Sequence, residues 1–272
     1  MTNRIFLFDS EKGGVGKSTF CKAFIQHLIN IHVPFKLLEA DLSNRDVLDT
    51  YSDLEGSETI HLSNDARIDS EADRIFAAGK DTNVVVNFPA NIAAVFDKWL
   101  GLTDILDIQK KHDVQFVKFF LVTQDSLCLR ALERSLDQWG DKIIHVVVQN
   151  LDTALPETYE AAFANAKELS ALIKKHKVAV IQMERLSYRA RDIVSGQQLR
   201  FDRAIADDSP LGILDRQRVK VWLDDCYKQM ESSGVCPEGQ EVVEEAGEKP
   251  VAEEKVAVPA GRSAKGAKPG KA

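Results

Sequence analysis

The chain has 272 residues, 44% hydrophobic and 28% charged, which is typical of a globular protein with a core to bury and excludes a peptide hormone. Its 35 Lys and Arg against 42 Asp and Glu give a formal charge of −7, which argues against a surface that coats nucleic acid throughout, although a local basic patch stays open. No apolar run is long enough to cross a bilayer, and the first residues lack a signal-peptide pattern, so we expect a cytoplasmic protein that does not enter the membrane. The four cysteines form no CxxC pair, so no disulfide scaffold, zinc site or redox motif is indicated: Cys21, Cys128, Cys226 and Cys236.

In chain order, short apolar runs alternate with longer amphipathic stretches. The runs predict strands at residues 5–8, 35–38, 84–86, 116–122, 143–148 and 178–181. Because these runs are continuously apolar, they predict strands covered on both faces. The stretches predict helices at residues 17–30, 91–100, 126–139, 156–174 and 210–230. The alternation predicts an α/β fold with a mostly parallel twisted sheet flanked by helices on both faces, and only the polar region 42–80 resists assignment.

The composition changes near residue 232. The final segment consists mainly of Glu, Lys, Ala, Val, Gly and Pro without an aromatic residue, so it cannot bury enough apolar surface to offset its ordering entropy. We therefore predict one domain at residues 1–232 and a disordered tail at 233–272. The tail is acidic first and basic at its end, which fits a solvated segment or a weak electrostatic contact with nucleic acid or a partner.

The most informative motif is a glycine-rich loop between the first strand and the first helix. Glycines let the backbone curl so that its N–H groups converge on phosphate oxygens, and the start of a helix adds its positive dipole end. Lys17 would place a charge on the β- and γ-phosphates, Ser18 would offer a hydroxyl to Mg²⁺, and Thr19 would bond the α-phosphate. The predicted phosphate-binding residues are Gly13, Gly14, Val15, Gly16, Lys17, Ser18 and Thr19.

In this loop Glu11 stands where the general pattern G-x-x-x-x-G-K-[ST] has its first glycine, and Lys12 follows. This K-G-G-x-G-K-[ST] form resembles the deviant Walker A motif of the ParA/MinD family of P-loop ATPases. The resemblance implies a SIMIBI-like P-loop NTPase that binds ATP and Mg²⁺ and forms a homodimer upon ATP binding. It also implies that Lys12 reaches the phosphates bound by the opposite subunit.

Two strand ends extend the resemblance to the family's switch regions. Asp41 follows the second strand, where the family places an aspartate that positions the attacking water and supports the metal. Alternatively, Asp41 caps the following turn. Asn87 stands where the family has the switch II aspartate, so it would reach the metal through a bound water without bringing a charge, or would only cap the turn before Pro89.

Asn150 ends a later strand, where relatives place an asparagine that reads the purine. Its amide can donate and accept, which suits an adenine edge, but a turn residue is an equal alternative. Asp152 would suit guanine, although the NKxD arrangement is absent.

The downstream half resembles the plasmid-encoded TraL and StbB type at residues 199–207 and 213–218. This resemblance implies a role in plasmid conjugation, mobilisation, partition or stability, with a protein or DNA-bound partner of that machinery. A basic stretch could touch DNA directly, or could be a solvated face with internal ion pairs: Arg185, Arg189, Arg191, Arg200 and Arg203. The acidic residues of the closing helix argue against a MinD-like membrane helix.

Three functional hypotheses follow. The first is a slow ATPase switch in which Lys12, Lys17 and Asp41 perform catalysis, with Ser18 and Asp41 on the metal. The second is a nucleotide-binding adaptor that no longer hydrolyses, which the uncharged Asn87 motivates. The third is a small-molecule kinase or synthetase on the same loop.

Overall fold

The computed structural model describes residues 2–65 and 69–239. It contains a seven-stranded sheet of order β3-β2-β4-β1-β5-β6-β7, and every strand pairing in it is parallel. The strands are β1 Asn3–Asp9, β2 Phe35–Glu39, β3 Glu58–Thr59, β4 Asn83–Asn87, β5 Val114–Val122, β6 Ile144–Asn150 and β7 Ala179–Met183. The predicted parallel α/β fold is confirmed.

Helices connect the strands and cover both faces of the sheet. The α-helices are α1 Lys17–Asn30, α2 Asp46–Thr50, α3 Asp73–Asp81, α4 Ala93–Thr103, α5 Ile105–Ile108, α6 Ser126–Trp139, α7 Pro156–Asn165, α8 Lys167–Lys175, α9 Tyr188–Gly196, α10 Phe201–Ile205 and α11 Ile213–Ser232. Short 3₁₀-helices span Asp69–Ala72 and Gln109–His112. Within the described ranges, no helix combines the length and apolar character that a membrane span requires.

Alternate residues of β1 belong to separate hydrophobic cores. Phe6 and Phe8 pack into the core that includes α1 and α11, whereas Ile5 and Leu7 pack into the core that includes α3 and α4. A strand covered on both faces must be apolar at every position, which explains the continuous run in the sequence.

An aromatic cluster fixes α1 against the centre of the sheet. The ring of Phe119 on β5 lies 5.2 Å from the rings of Phe8 and Phe24, and Phe24 lies 4.7 Å from Phe6. These rings are fully buried, so they contribute both hydrophobic burial and ring–ring contact. Since β1 and α1 flank residues 10–16, the cluster holds both ends of the glycine loop in place.

Several predicted boundaries differ from the structure. The single helix predicted at 156–174 is wrong: the chain forms α7 and α8, separated at Ala166, whose φ of −93° and ψ of 73° are not helical. No glycine or proline marks this break in the sequence. The polar region without a prediction contains α2, β3 and α3, and β6 extends two residues beyond the predicted strand end to include Asn150.

The residues after α11 continue along the domain. Val235 is buried, and its carbonyl oxygen accepts a hydrogen bond from Nη1 of Arg4 at 2.6 Å. The domain boundary after residue 232 remains a prediction. The part of the predicted disordered tail at 240–272 lies outside the described residues.

Candidate functional site

The glycine loop leaves β1 and enters α1 through two left-handed residues. Gly14 has a φ of 77° and Gly16 a φ of 91°, a region in which residues with a Cβ are strained. The carbonyl of Gly16 accepts the N–H of Phe20 at 2.9 Å, which closes the first turn of α1. The N–H groups at the start of this 14-residue helix therefore face the loop, as an anion site requires.

The loop lies directly against the ends of β6 and β7. A Cβ on Gly16 would lie 2.6 Å from Nδ2 of Asn150 and 2.8 Å from Cε of Met183. The same Nδ2 donates to the carbonyl oxygen of Val15 at 2.9 Å, and Oδ1 of Asn150 accepts the N–H of Asp152 at 2.9 Å. Nδ2 of Asn150 thus ties the loop to β6, whereas its Oδ1 holds the turn after β6, and its reading of a purine remains a prediction.

Lys17 lies at the bottom of the loop with a side chain that is almost completely buried. Its Nζ donates to Oδ1 of Asn87 at 3.2 Å. The amide Nδ2 of Asn87 donates in turn to Oε1 of Glu39 at 2.8 Å. Asn87 and Glu39 are fully buried, so Asn87 bridges a lysine and a carboxylate within the protein, and its proposed contact with a metal-bound water remains a prediction.

Glu39 is the buried acid that the sequence reasoning missed. Its carboxylate also accepts the N–H groups of Asp41 at 3.0 Å and Leu48 at 3.3 Å. Burial raises the pKa of Glu39 to about 7, although these hydrogen bonds and the one from Asn87 oppose the rise. An acidic residue directly after two apolar residues of a strand, Leu37 and Leu38, was the available signal, because such a group is rarely buried without partners.

Asp41 begins the segment after β2 and lines the same cavity as the loop. Its Oδ1 accepts hydrogen bonds from Oγ of Ser43 at 2.6 Å and from the N–H of Asn44 at 3.2 Å. Asp41 therefore caps the turn that follows β2, which was one of the two alternatives given for this residue. Its other oxygen, Oδ2, has no hydrogen-bond partner in the part of the chain that the structure describes, and it is free to face a ligand.

Lys12 is half-exposed at the rim of the loop. Its Nζ donates to Oδ2 of Asp125 at 2.7 Å, and Asp125 also caps α6 through a hydrogen bond from the N–H of Leu127 at 2.8 Å. The hydrogen bond to Asp125 raises the pKa of Lys12, and the same bond lowers the pKa of Asp125. The loop lysine that the resemblance assigns to a second subunit is thus paired within its own chain.

These residues surround one cavity of about 360 Å³. Its loop end is lined by Lys12, Gly13, Gly14, Gly16, Lys17, Ser18, Thr19 and Asp41. Its far end is lined by Asp152, Met183, Glu184, Leu186, Arg191 and Trp222, and Asn150 lies between the two ends. The structure brings the predicted loop residues, Asp41 and Asn150 together, whereas Asn87 lies beneath the cavity floor.

The far end contains an ion pair that the sequence reasoning did not anticipate. Nη1 of Arg191 contacts Oδ2 of Asp152 at 2.8 Å, and the Arg191 guanidinium lies 4.7 Å from the centre of the Tyr188 ring. The other carboxylate oxygen, Oδ1 of Asp152, is buried without a hydrogen-bond partner among the described residues. A buried acceptor of this kind has a cost unless a ligand or water satisfies it.

The site fits Mg²⁺ in the way that phosphate-binding loops do. This cation usually takes one or two protein oxygens and completes its shell with phosphates and water. Ser18 and Asp41 line the loop end and would supply those oxygens. In the described ranges no group of three or more His, Cys, Asp or Glu side chains forms a metal site by itself.

The basic stretch does not form a uniformly free surface. Arg189 pairs with Asp215 at 3.3 Å, and Arg200 pairs with Asp202 at 3.1 Å and with Asp53 at 2.5 Å. Together with the Arg191–Asp152 pair, these contacts favour the alternative of internal ion pairs over a continuous DNA-binding face.

Comparisons with known proteins give a distant relative and a set of similar folds. No family model matches the chain. Protein MobD of Acidithiobacillus ferrooxidans is 22% identical over 240 residues, covering 85% of this chain and 98% of that protein.

Three solved structures were compared in the same way. The cell division protein MinD of Aquifex aeolicus aligns at 16% identity over 88% of this chain and 100% of that chain, with a TM-score of 0.47. The MinC:MinD complex of the same organism aligns at 14% over 84% and 96%, with a TM-score of 0.48. A nucleotide-binding protein in complex with ADP from Archaeoglobus fulgidus aligns at 14% over 88% and 94%, with a TM-score of 0.45. The strand order and the loop geometry define the fold of this chain without these alignments.

Proposed function

We propose that this chain is a switch ATPase that binds ATP with Mg²⁺, hydrolyses it slowly and forms a homodimer upon ATP binding. The observation that carries the proposal is the loop end of the cavity. Two left-handed glycines, a helix start and the Nζ of Lys17 converge there, and Asp41, whose Oδ2 has no partner among the described residues, lines the same cavity. This arrangement supports binding of a triphosphate, since backbone N–H groups and one buried cation face the same space.

The proposed chemistry assigns a task to each side chain. Lys17 stabilises the negative charge that builds on the transferred phosphoryl group, and Asp41 places the attacking water. Bound Mg²⁺ would neutralise charge on the β- and γ-phosphates, with Ser18 and Asp41 as its protein ligands. Turnover is slow in this proposal because a switch needs a lasting bound state.

Dimerisation gives Lys12 its task. The half-exposed Lys12–Asp125 pair is weak enough to break, because water screens ion pairs at the surface and holding two long side chains in place costs entropy. Each Lys12 would then reach the triphosphate held by the opposite subunit. Hydrolysis would remove the γ-phosphate, loosen the dimer and release the bound partner.

The proposed process is plasmid conjugation, mobilisation, partition or stability, with a protein or DNA-bound partner from that machinery. The resemblance of residues 199–207 and 213–218 to the TraL and StbB type supports this step. The distant relative MobD, which is 22% identical over 85% of this chain and 98% of that protein, is consistent with it. Direct contact with DNA would involve those arginines of the basic stretch that form no ion pair with the described residues. The proposed location is the cytoplasm.

The test compares Lys17→Ala with wild type in ATP binding by calorimetry. We expect affinity to fall at least about 100-fold, or about 2.7 kcal/mol, because charged hydrogen bonds to phosphate are lost. Lys142→Ala is the matched control, because Lys142 pairs with Asp107 and lines a separate cavity. Equal ATP affinity in Lys17→Ala and wild type would refute the nucleotide site.

A second comparison tests the dimer. Lys12→Ala should retain ATP binding, while ATP-dependent dimerisation and hydrolysis should both fall in light scattering and phosphate-release assays. Dimers that form equally well without Lys12 would count against the shared arrangement.

The amide at position 87 favours one further candidate, the adaptor that binds ATP without hydrolysing it. Asn87 brings no charge and is fully engaged with Lys17 and Glu39. Radiolabelled ATP that stays bound without phosphate release, even with DNA and partner proteins added, would support the adaptor over the ATPase.

A further inference from the structure

The contact beneath Lys17 joins the final residues of two neighbouring strands. Glu39 ends β2 and Asn87 ends β4, and the two residues are directly paired in the register of these parallel strands. Their side chains meet at 2.8 Å, and both are completely shielded from solvent. The pair is therefore fixed by the backbone of the sheet and not by a mobile loop.

The carboxylate of Glu39 determines which way the amide of Asn87 points. Oε1 and Oε2 of Glu39 each accept a backbone N–H group, and Oε1 also accepts Nδ2 of Asn87, so the NH₂ group of Asn87 faces Glu39. The carbonyl Oδ1 of Asn87 is then directed at Lys17, whose Nζ lies 3.2 Å away. A lysine ammonium has three donors, so this contact leaves two for phosphate oxygens in the cavity.

Charge balance gives the same assignment. Lys17 is almost fully buried, and a buried cation needs a nearby negative group. Asn87 supplies orientation without charge, and Glu39 supplies charge one hydrogen bond further away. The N–H groups of Asp41 and Leu48 hold the carboxylate in this position from the other side.

We propose that Glu39 is a positioning residue that acts through Asn87 to hold the ammonium of Lys17 at the floor of the cavity. The two side chains together replace a single carboxylate at position 87. This inference rests on the proposed function, because it assigns Glu39 a part in holding the lysine that meets the triphosphate. One consequence runs against intuition: an aspartate at position 87 is harmful as long as Glu39 is present.

The chemistry of three variants makes the inference testable. Asn87→Asp places two carboxylates at hydrogen-bond distance in a buried site, which disfavours their joint ionisation. Glu39→Gln leaves two neighbouring amides. If the NH₂ group of the new glutamine faces Leu48, the N–H of Leu48 meets a donor. If it faces Asn87, the amide of Asn87 has to turn, and its NH₂ group then faces Lys17. In the double variant Glu39→Gln/Asn87→Asp, the new glutamine donates to the new aspartate, which pairs directly with Lys17.

The experiment is this double-mutant cycle on the full chain, measured as ATP and ADP affinity by calorimetry, with thermal unfolding followed for each variant. We expect each single variant to bind ATP at least tenfold more weakly than wild type. We expect the double variant to recover to within about fivefold, with Asp41 N–H left unsatisfied as the reason for incomplete recovery. Since Lys17 faces the terminal phosphates, the losses should be larger for ATP than for ADP.

Asn83→Asp is the matched control, because it makes the same chemical change at the opposite end of β4, where Asn83 bonds the carbonyl of Pro34. Its ATP affinity should equal that of wild type. If one single variant fails to fold, the comparison of the other with the double variant still reports recovery.

The outcomes separate the inference from the proposed function. Losses that simply add in the double variant, or tighter ATP binding by Asn87→Asp alone, would overturn the role of Glu39 while leaving the ATP site intact. Wild-type protein that binds no ATP would overturn the proposed function, and the inference with it.

Discussion

The loop end and the far end of the cavity are prepared for a ligand in different ways. At the loop end, positive φ angles at Gly14 and Gly16 shape the backbone, and the cations Lys12 and Lys17 each already have an acceptor within the chain. At the far end, the wall consists of side chains from the segment after β6, from the end of β7 and the residues that follow it, and from α9 and α11, and one oxygen of Asp152 has no partner among the described residues. In the proposed nucleotide site, backbone geometry would govern phosphate affinity, whereas a few side chains would govern selection of the base.

The largest expected effect is a loss of ATP binding when the backbone conformation of the glycine loop is disrupted. In Gly16→Ala, a Cβ would have to adopt the φ of 91° and would approach Asn150 and Met183 to 2.6 and 2.8 Å. The left-handed conformation costs about 1–2 kcal/mol and the contacts add to it, so we expect ATP binding to fall more than about 100-fold, together with a lower unfolding temperature. Calorimetry and thermal unfolding measure the two effects.

Gly56→Ala is the control that separates backbone strain from steric overlap. Gly56 has a φ of 74°, but a Cβ there would meet nothing within 4 Å. This variant should lose some stability and keep its ATP affinity. If it weakens ATP binding as much as Gly16→Ala does, a global loss of stability explains both results and the loop geometry is not the cause.

The next largest effect is expected from removing the side chain of Asn150, which links the glycine loop to β6. Asn150→Ala leaves the carbonyl of Val15 and the N–H of Asp152 without their partners, at a cost of about 1–3 kcal/mol for each buried group. We expect ATP to bind at least about tenfold more weakly because the loop is no longer tied to β6.

Competition with inorganic triphosphate distinguishes the two roles of Asn150. If it anchors the loop, ATP, GTP and inorganic triphosphate should all bind more weakly in Asn150→Ala. If only the purine nucleotides lose affinity, Asn150 reads the base and its contact with Val15 is secondary.

The two ends also differ in how far the sequence predicts them. The loop, its lysines and the helix that follows are contiguous, so local chemistry was enough to identify them. Asp41 could be placed because the ends of parallel strands meet at one edge of a sheet. Glu39 and Asn87 are 48 residues apart, and their contact depends on the register of β2 with β4, which no local pattern specifies.

The far end and one helix show the same limit. The pairing of Arg191 with Asp152 joins α9 to the segment after β6, and the two residues are 39 positions apart in the sequence. The helices on both sides of Ala166, α7 and α8, pack into one core with α6 and β6, and no glycine or proline stands at the break between them. Periodicity identified the sheet and its covering helices, whereas contacts between distant residues required the structure.

A smaller loss of ATP affinity is expected from a change at the far end of the cavity. Asp152→Ala removes a carboxylate that lines the far end, pairs there with Arg191, and would accept a hydrogen bond from an amino group of the base in the proposed site. We expect ATP affinity to fall about fivefold, or about 1 kcal/mol, the usual net contribution of one hydrogen bond, while inorganic triphosphate binds as before. Competition binding measures both ligands.

Asp192→Ala is the control for this change. Asp192 lies 3.7 Å from the same arginine but is largely exposed, and it does not line the cavity. It should leave both affinities unchanged. Equal weakening of ATP and inorganic triphosphate in Asp152→Ala would show that the far end supports the loop and does not contact the base.

The smallest expected effect concerns Lys12, the half-exposed lysine at the rim of the loop. Asp125→Asn keeps an oxygen for the N–H of Leu127 at the start of α6 and removes the charge that holds Lys12. Because this ion pair is half-exposed, its loss should lower the protein concentration needed for ATP-dependent dimerisation by only about two- to threefold. High salt should abolish the difference between variant and wild type, since it screens the pair in both. Light scattering at low and high ionic strength measures this change, and a variant that dimerises less readily at low salt would mean that Asp125 assists the dimer instead of holding Lys12 back.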